Sequence, residues 1–144
     1  DGTAPNDDQA PLAELARRVD MPVANDEEFD IVANGAGRNF ATELAASGAL
    51  ILYKMGEGGC DILTAGNSIH IGIYRVTALK PFGSGDAFLG SIMANLGAGA
   101  DIKSAVKRGA AGAAIAVSRR GCARAMPDGA EIDALMNANP MTSP

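Results

Sequence analysis

Histidine occurs once in this chain, at position 70, and cysteine twice, at 60 and 122. That scarcity leaves no Ser-His-Asp or Cys-His set to assemble. A lone His70 in a strand-like run reads as a surface or packing residue. Cys60 and Cys122 form neither a zinc spacing nor a dense disulfide framework, so the expected setting is a reducing cytoplasm, with a pairing between them left open. Both read as small packing residues rather than nucleophiles. Basic residues are also in short supply: 12 Lys and Arg stand against 17 Asp and Glu, scattered along a chain of net charge -5. That distribution argues against a nucleic-acid footprint and a polybasic membrane patch. The longest uncharged run, Ala87 to Ala100, falls short of the roughly 20 residues that a membrane-spanning helix needs. The acidic start from Asp1 to Asp8 has neither the basic nor the apolar region of a signal peptide and reads as a cut or processed end. No Gly-Lys-Ser/Thr follows a glycine loop, which excludes a Walker loop, and no third glycine completes a dinucleotide fingerprint.

What is present fits one globular domain: 144 residues, 47% of them hydrophobic, enough to bury a real core. Residues 1–9 read as a loose lead-in, residues 10–138 as the folded portion and residues 139–144 as a frayed tail. Leu12, Leu15, Ala16 and Val19 recur at helical spacing until Met21-Pro22 interrupts. Pro22-Val23-Ala24 suits a short buried strand, and Asn25 or Asp26 an N-cap before Glu27, Glu28 and Phe29. A helix over about Arg38 to Ala46 ends at Gly48, and Ala49 to Lys54 suits a strand covered on both faces. Cys60 to Ala65 and Ser68 to Tyr74 read as a hairpin turning at Gly66-Asn67. Phe88, Leu89, Ile92, Met93 and Leu96 mark one helix face that stops at Gly97-Ala98-Gly99. Asp101 caps the next helix, whose small residues from Ala110 to Ala116 permit close approach of a neighbour or a flat ligand. Pro127-Asp128 opens a last helix. Strands alternating with helices, plus a hairpin, give an α/β three-layer arrangement.

The most informative segment is Gly83-Ser84-Gly85-Asp86, followed at once by the apolar helix-like run from Ala87 to Met93. Three small residues let the backbone come close to a ligand, and successive N–H groups at a helix start favour an anion. Asp86 would repel that anion, so it makes more sense as a base aimed at a hydroxyl that attacks phosphorus. On its own the motif is weak, because glycines before a helix are often only a tight turn. Two further segments point the same way: Asn25-Asp26-Glu27-Glu28 after a short apolar run, and Lys54-Met55-Gly56-Glu57-Gly58-Gly59 after a strongly apolar one. Read alone, Asn25 is equally a helix cap, Glu28 a solvated first-turn acid, Gly56 and Gly59 a turn, and Lys54 a snorkelling strand end.

With these three segments in order, the chain resembles the C-terminal half of the ribokinase-like (PfkB) carbohydrate kinases, from about Leu12 to Met136. The family's Asn-x-x-Glu element matches Asn25 and Glu28, its glycine turn matches Gly56 and Gly59, and its Gly-Ala-Gly-Asp signature matches Gly83 through Asp86. Thr77 to Pro81 and Gly121 to Pro127 are most similar to the 5-dehydro-2-deoxygluconokinases of inositol catabolism. The resemblance implies a ribokinase-like sandwich with a mostly parallel sheet plus a hairpin, and ATP-dependent phosphorylation of a primary hydroxyl on a sugar or sugar acid. It makes Asp86 the base, gives the amides of Gly83, Ser84 and Gly85 the anion hole, and assigns Mg²⁺ to Asn25 and Glu28. Lys54, Gly56, Gly59, Ala110 and Ala114 fall to the nucleotide, and Arg120-Gly121-Cys122 to a loop implying K⁺. Where most members have Asp-Thr-x-Gly, this chain has Lys80-Pro81-Phe82-Gly83. The family's sugar site and lid come from an N-terminal half that these residues do not supply. That implies a companion half or self-association. The alternatives are a nucleotide-binding module without transfer and a relative that keeps the fold and has lost the chemistry.

Overall fold

The computed structural model describes residues 10–79 and 82–143. The expected lead-in over residues 1–9 and the pair Lys80-Pro81 lie outside the described residues. The chain divides into two compact units, one running to Gly56 and resuming over Cys60–His70, the other formed by Glu57–Gly59 and the residues from Ile71 onward. No composition break or linker marks this division, so the sequence reads as undivided.

The first unit is built on local signals. Helix α1 (Ala10–Arg17) ends well before Pro22 would force it to. Its Ala13 and Ala16 pack on the core, while Leu12, Leu15 and the following Val19 are exposed. Of the expected apolar stripe only Ala16 reaches the core, joined there by Ala13 in place of the leucines. Strand β1 (Val23–Asn25) runs into α2 (Asp26–Val32), and α3 (Gly37–Ala46) follows a left-handed turn at Asn34 and Gly35. Gly37 has no room for a side chain: a Cβ there would lie 2.5 Å from the Asp30 amide nitrogen. Its own amide donates to Asp30 Oδ1 at 2.8 Å, which ties the start of α3 to α2.

Strands β2 (Ile51–Lys54), β3 (Cys60–Thr64) and β4 (Asn67–Ile71) complete a sheet in the order β1-β2-β3-β4. The β1–β2 pair is parallel, with Asn25 opposite Lys54, and α2 and α3 supply the crossover that parallel strands require. The β2–β3 pair is antiparallel, with Tyr53 opposite Asp61. The sheet is thus mixed rather than mostly parallel, because the single 3₁₀ turn at Gly56–Gly58 is too short for a crossover. The hairpin turns at Ala65-Gly66, one residue earlier than expected, with Gly66 at φ 73°. Phe29, Phe40, Ala41, Leu44, Ile51, Tyr53 and Leu63 form the core of this unit.

In the second unit, α4 (Ser84–Gly97) packs on α5 (Ile102–Val117), with Ile92 and Val106 fully buried. The close approach rests on glycine: a Cβ on Gly109 would lie 2.7 Å from Ile92 Cγ1, and one on Gly112 2.4 Å from Ser91 Oγ. Of the expected α4 face only Phe88 and Ile92 are buried, alongside Ala87, and Leu89 and Met93 are exposed. Asp101 caps α5, accepting from the Ser104 amide at 2.9 Å and the Ser104 hydroxyl at 2.6 Å. Helix α6 (Gly129–Ala138) opens on a capping box between Asp128 and Glu131. The tail beyond α6 is held rather than frayed: Thr142 pairs with Ile73 through two backbone hydrogen bonds of 2.8 Å. The expected strand to Tyr74 is shorter: β4 stops at Ile71, and Ile73 beyond it pairs with Thr142.

Candidate active site

The expected site residues fall into both units. In the first, the C-terminal ends of β1 and β2 place Asn25 and Lys54 at opposite register positions. Asn25 caps α2, accepting from the Glu28 amide at 2.7 Å, while Glu28 Oε2 accepts from the Asn25 amide at 2.7 Å. The cap reading of Asn25 is therefore realised, and it uses one side-chain oxygen of each residue. The second carboxylate oxygen of Glu28 lies outside this box, so the pair still offers a hard-oxygen donor at an exposed strand end. Gly56, just past β2, sits at φ 55°, a conformation that favours glycine, with nothing within 4 Å of where a Cβ would stand. Backbone geometry, not crowding, selects glycine there.

In the second unit, Gly59 is likewise left-handed at φ 84°. Gly83 is the N-cap of α4 at φ 86°, which turns the chain into a 14-residue helix with Asp86 in its first turn. The Ala87 amide donates to Gly83 O at 3.0 Å. The amides of the first turn carry the positive end of the helix dipole. Asp86 and Gly85 are exposed. Ala114 is buried in a cluster with Tyr74, Ala111, Ile115 and Ile132, and Ala110 packs against the same cluster while keeping part of its surface. The small-residue face of α5 thus receives a neighbour, α4 on one side and this cluster on the other. Tyr74 is buried there, and that burial raises its phenol above the ordinary range.

Sequence reasoning missed Asp61. Among the described residues it is the buried charged one of the first unit, with Arg38 Nη1 at 2.7 Å from its Oδ2 and His70 Nδ1 at 2.7 Å from its Oδ1. The run of β3 could have flagged it, since Cys60, Ile62 and Leu63 around it are all apolar and buried. Both cysteines are free, which settles the open pairing. Burial, reinforced by Asp61 and opposed by Lys54, pushes the Cys60 thiol up to about 12, so it is inert near neutral pH. Arg119 holds Glu131 through two hydrogen bonds, of 2.6 and 3.2 Å, fastening the loop after α5 to the start of α6. Cys122 is exposed in that loop. Among the described residues no group of three or more His, Cys, Asp or Glu side chains could hold a metal ion, and no helix is long and apolar enough to cross a membrane.

What the solved sugar-kinase structures share with this chain is the α/β fold. A fructokinase from Xylella fastidiosa with bound ATP superposes with TM-score 0.81 at 22% identity, over 94% of this chain and 48% of that one. A double-mutant fructokinase from Vibrio cholerae O395, in fructose-, ADP- and potassium-bound form, gives 0.80 at 22% identity, over 89% and 44%. The description "pfkB family carbohydrate kinase" matches residues 3–129, and the chain belongs to that family. Among curated proteins, the 5-dehydro-2-deoxygluconokinase of Photobacterium profundum is 39% identical over 116 residues. That match covers 75% of this chain and 35% of the relative, so the chain spans about a third of the length of the protein it matches.

Proposed function

We propose that residues 10–138 are the nucleotide- and base-bearing portion of an ATP-dependent kinase acting on a primary hydroxyl of a sugar or sugar acid. The name of the Photobacterium profundum relative supports 5-dehydro-2-deoxygluconate as the acceptor. The observation that carries the reading is Asp86, exposed in the first turn of α4 directly after a left-handed Gly83. Asp86 takes the proton from the acceptor hydroxyl as its oxygen forms a bond to the γ-phosphorus and the bond to the ADP oxygen breaks. The amides of Gly83, Ser84 and Gly85 stabilise the charge on the transferring group, preorganised by the helix start.

Asn25 and Glu28 suit Mg²⁺ as hard-oxygen donors, and a site with so few side chains matches a cation that keeps most of its waters. Mg²⁺ would neutralise phosphate charge there. Lys54, at the strand end opposite Asn25, adds positive charge for the phosphates. Gly56 and Gly59 bring the backbone close to the nucleotide, and Ala110 faces the base, supported from the packed cluster by Ala114. The described loop Arg120-Gly121-Cys122 has no oxygen-bearing side chain, so K⁺ there would rest on main-chain carbonyls. Potassium bound by the Vibrio cholerae neighbour supports that second cation. The exposed Leu12, Leu15, Ile31, Leu89 and Met93 support a companion half or self-association. The free thiols support a cytoplasmic setting.

A second reading is a nucleotide-binding module without transfer of its own. Calorimetric titration of the chain with Mg·ATP, alongside its mass in solution, tests the proposal. Saturable binding by a monodisperse chain supports it, and no binding by a folded, monodisperse chain overturns it. Binding without phosphoryl transfer after the missing half is supplied selects the second reading.

A further inference from the structure

Five side chains of the first unit form one contact chain that ends beside Glu28. His70 on β4 and Arg38 at the start of α3 grip the two oxygens of the buried Asp61 carboxylate, each at 2.7 Å. The same Arg38 guanidinium lies over the Tyr53 ring, 4.8 Å from its centroid. Tyr53 stacks on Phe29 with ring centroids 5.2 Å apart and an interplanar angle of 20°. Phe29 follows Glu28 in the first turns of α2, and Tyr53 precedes Lys54 on β2. Asp30, which follows Phe29, accepts from the Gly37 amide immediately before Arg38 and so closes the loop of contacts.

The energetics favour a mechanical role for Asp61. A buried carboxylate is costly unless its oxygens are satisfied, and here a guanidinium and an imidazole do that from two different elements. Having met that requirement, Asp61 fixes where Arg38 lies, and a planar guanidinium stacked on an aromatic face transmits that placement in a way that a flexible ammonium would not. Burial, with Asp30 and Asp26 adding to it, raises the Tyr53 phenol, so the ring stays neutral in this stack.

We infer that Asp61 is a positioning residue: through Arg38, Tyr53 and Phe29 it sets the start of α2, and with it the Asn25–Glu28 pair and the neighbouring Lys54. This rests on the proposed role of Asn25 and Glu28 in nucleotide binding. The role is distinct from bulk stabilisation because it is directed along one path.

The test uses the whole chain with Asp61→Asn and with Arg38→Lys, which keeps the charge but loses the stacking plane. Amide hydrogen exchange is read at Ala33, bonded to Phe29 O at 2.9 Å, and at Leu52, bonded to Pro22 O at 3.0 Å. Exchange at Ala33 should rise on the order of tenfold, the scale of one lost charge-assisted hydrogen bond, with Leu52 unchanged. Mg·ATP affinity should fall in the same two variants. Unchanged exchange at Ala33, or an equal rise at Leu52, overturns the inference, as does full Mg·ATP affinity in a variant whose Ala33 has loosened. If Asp61→Asn fails to fold, Arg38→Lys, altered at a half-exposed side chain, carries the test. Should the unmodified chain bind no nucleotide, the kinase reading falls and the exchange pattern still decides the path.

Discussion

Asn25 and Glu28 hold each other by reciprocal hydrogen bonds of 2.7 Å, each side chain accepting from the other's backbone amide. The residues assigned to Mg²⁺ are therefore also the ones that start α2, and a single deletion would confuse the two roles. Glu28→Gln separates them, since glutamine closes the same box without the charge. The melting transition should move by less than about 0.5 kcal/mol, while the Mg²⁺ dependence of ATP binding weakens. Asn25→Ala should instead cost about 1 kcal/mol of stability, the ordinary worth of a cap. Thermal melts paired with titrations at two Mg²⁺ concentrations distinguish the cases. A Glu28→Gln chain with unaltered Mg²⁺ dependence would reduce Glu28 to a capping residue.

Asp86 is exposed in the first turn of α4, next to amides that favour an anion. Replacing it with Asn keeps the shape, removes the base and removes a negative charge from the neighbourhood of the phosphates. Turnover, measured once the rest of the kinase length is supplied, should drop about 100- to 10,000-fold. Nucleotide affinity in the chain itself should hold or rise. A large loss of affinity together with turnover would make Asp86 a binding or structural residue.

What could be read from the sequence was whatever the chain encodes locally. The caps at Asn25 and Asp101, the opening of α6 at Pro127-Asp128, the extent of α3 and the glycine-to-helix junction at Gly83 each depend on residues within a turn of one another. The features that escaped are long-range. Ile73, just past β4, pairs with Thr142, 69 residues away. The Asp61 contacts need the hairpin register and the start of α3 together, neither of which is a spacing in the sequence. Helix α1 misled in part because its leucines fit the period, while only Ala16 of that stripe, with Ala13, makes the contact. The α5 small-residue run showed that something approaches closely, but the partner, α4 packed at Gly109 and Gly112, was visible only in three dimensions.

That packing makes a sharp forecast for glycine substitutions. A Cβ on Gly109 would meet Ile92 Cγ1 at 2.7 Å and the Phe88 carbonyl oxygen at 3.0 Å, so Gly109→Ala should cost about 1–3 kcal/mol through overpacking despite alanine's better helix propensity. Gly90 on α4 has nothing within 4 Å of its Cβ position, so Gly90→Ala should stabilise by about 0.5–1 kcal/mol. Denaturant melts of the two variants should therefore move in opposite directions. Movement in the same direction would mean that α4 and α5 are not packed as described.

Asp101 provides a test by pH. Its carboxyl is held below the ordinary range, first by the Ser104 hydroxyl and then by the Ser104 amide. The folded state thus binds this proton less readily than the unfolded chain. The stability it contributes is fully present above the unfolded value, near 3.9 for aspartate, and is lost as pH falls through the lower folded value. Asp101→Asn retains a good cap without a titrating group. The difference in Tm between the two chains cancels every other carboxylate and isolates this one. The native chain's advantage should be constant near neutral pH and shrink as the pH drops below about 4. An advantage that persists into strong acid would show that the charge on Asp101 contributes nothing to holding the start of α5.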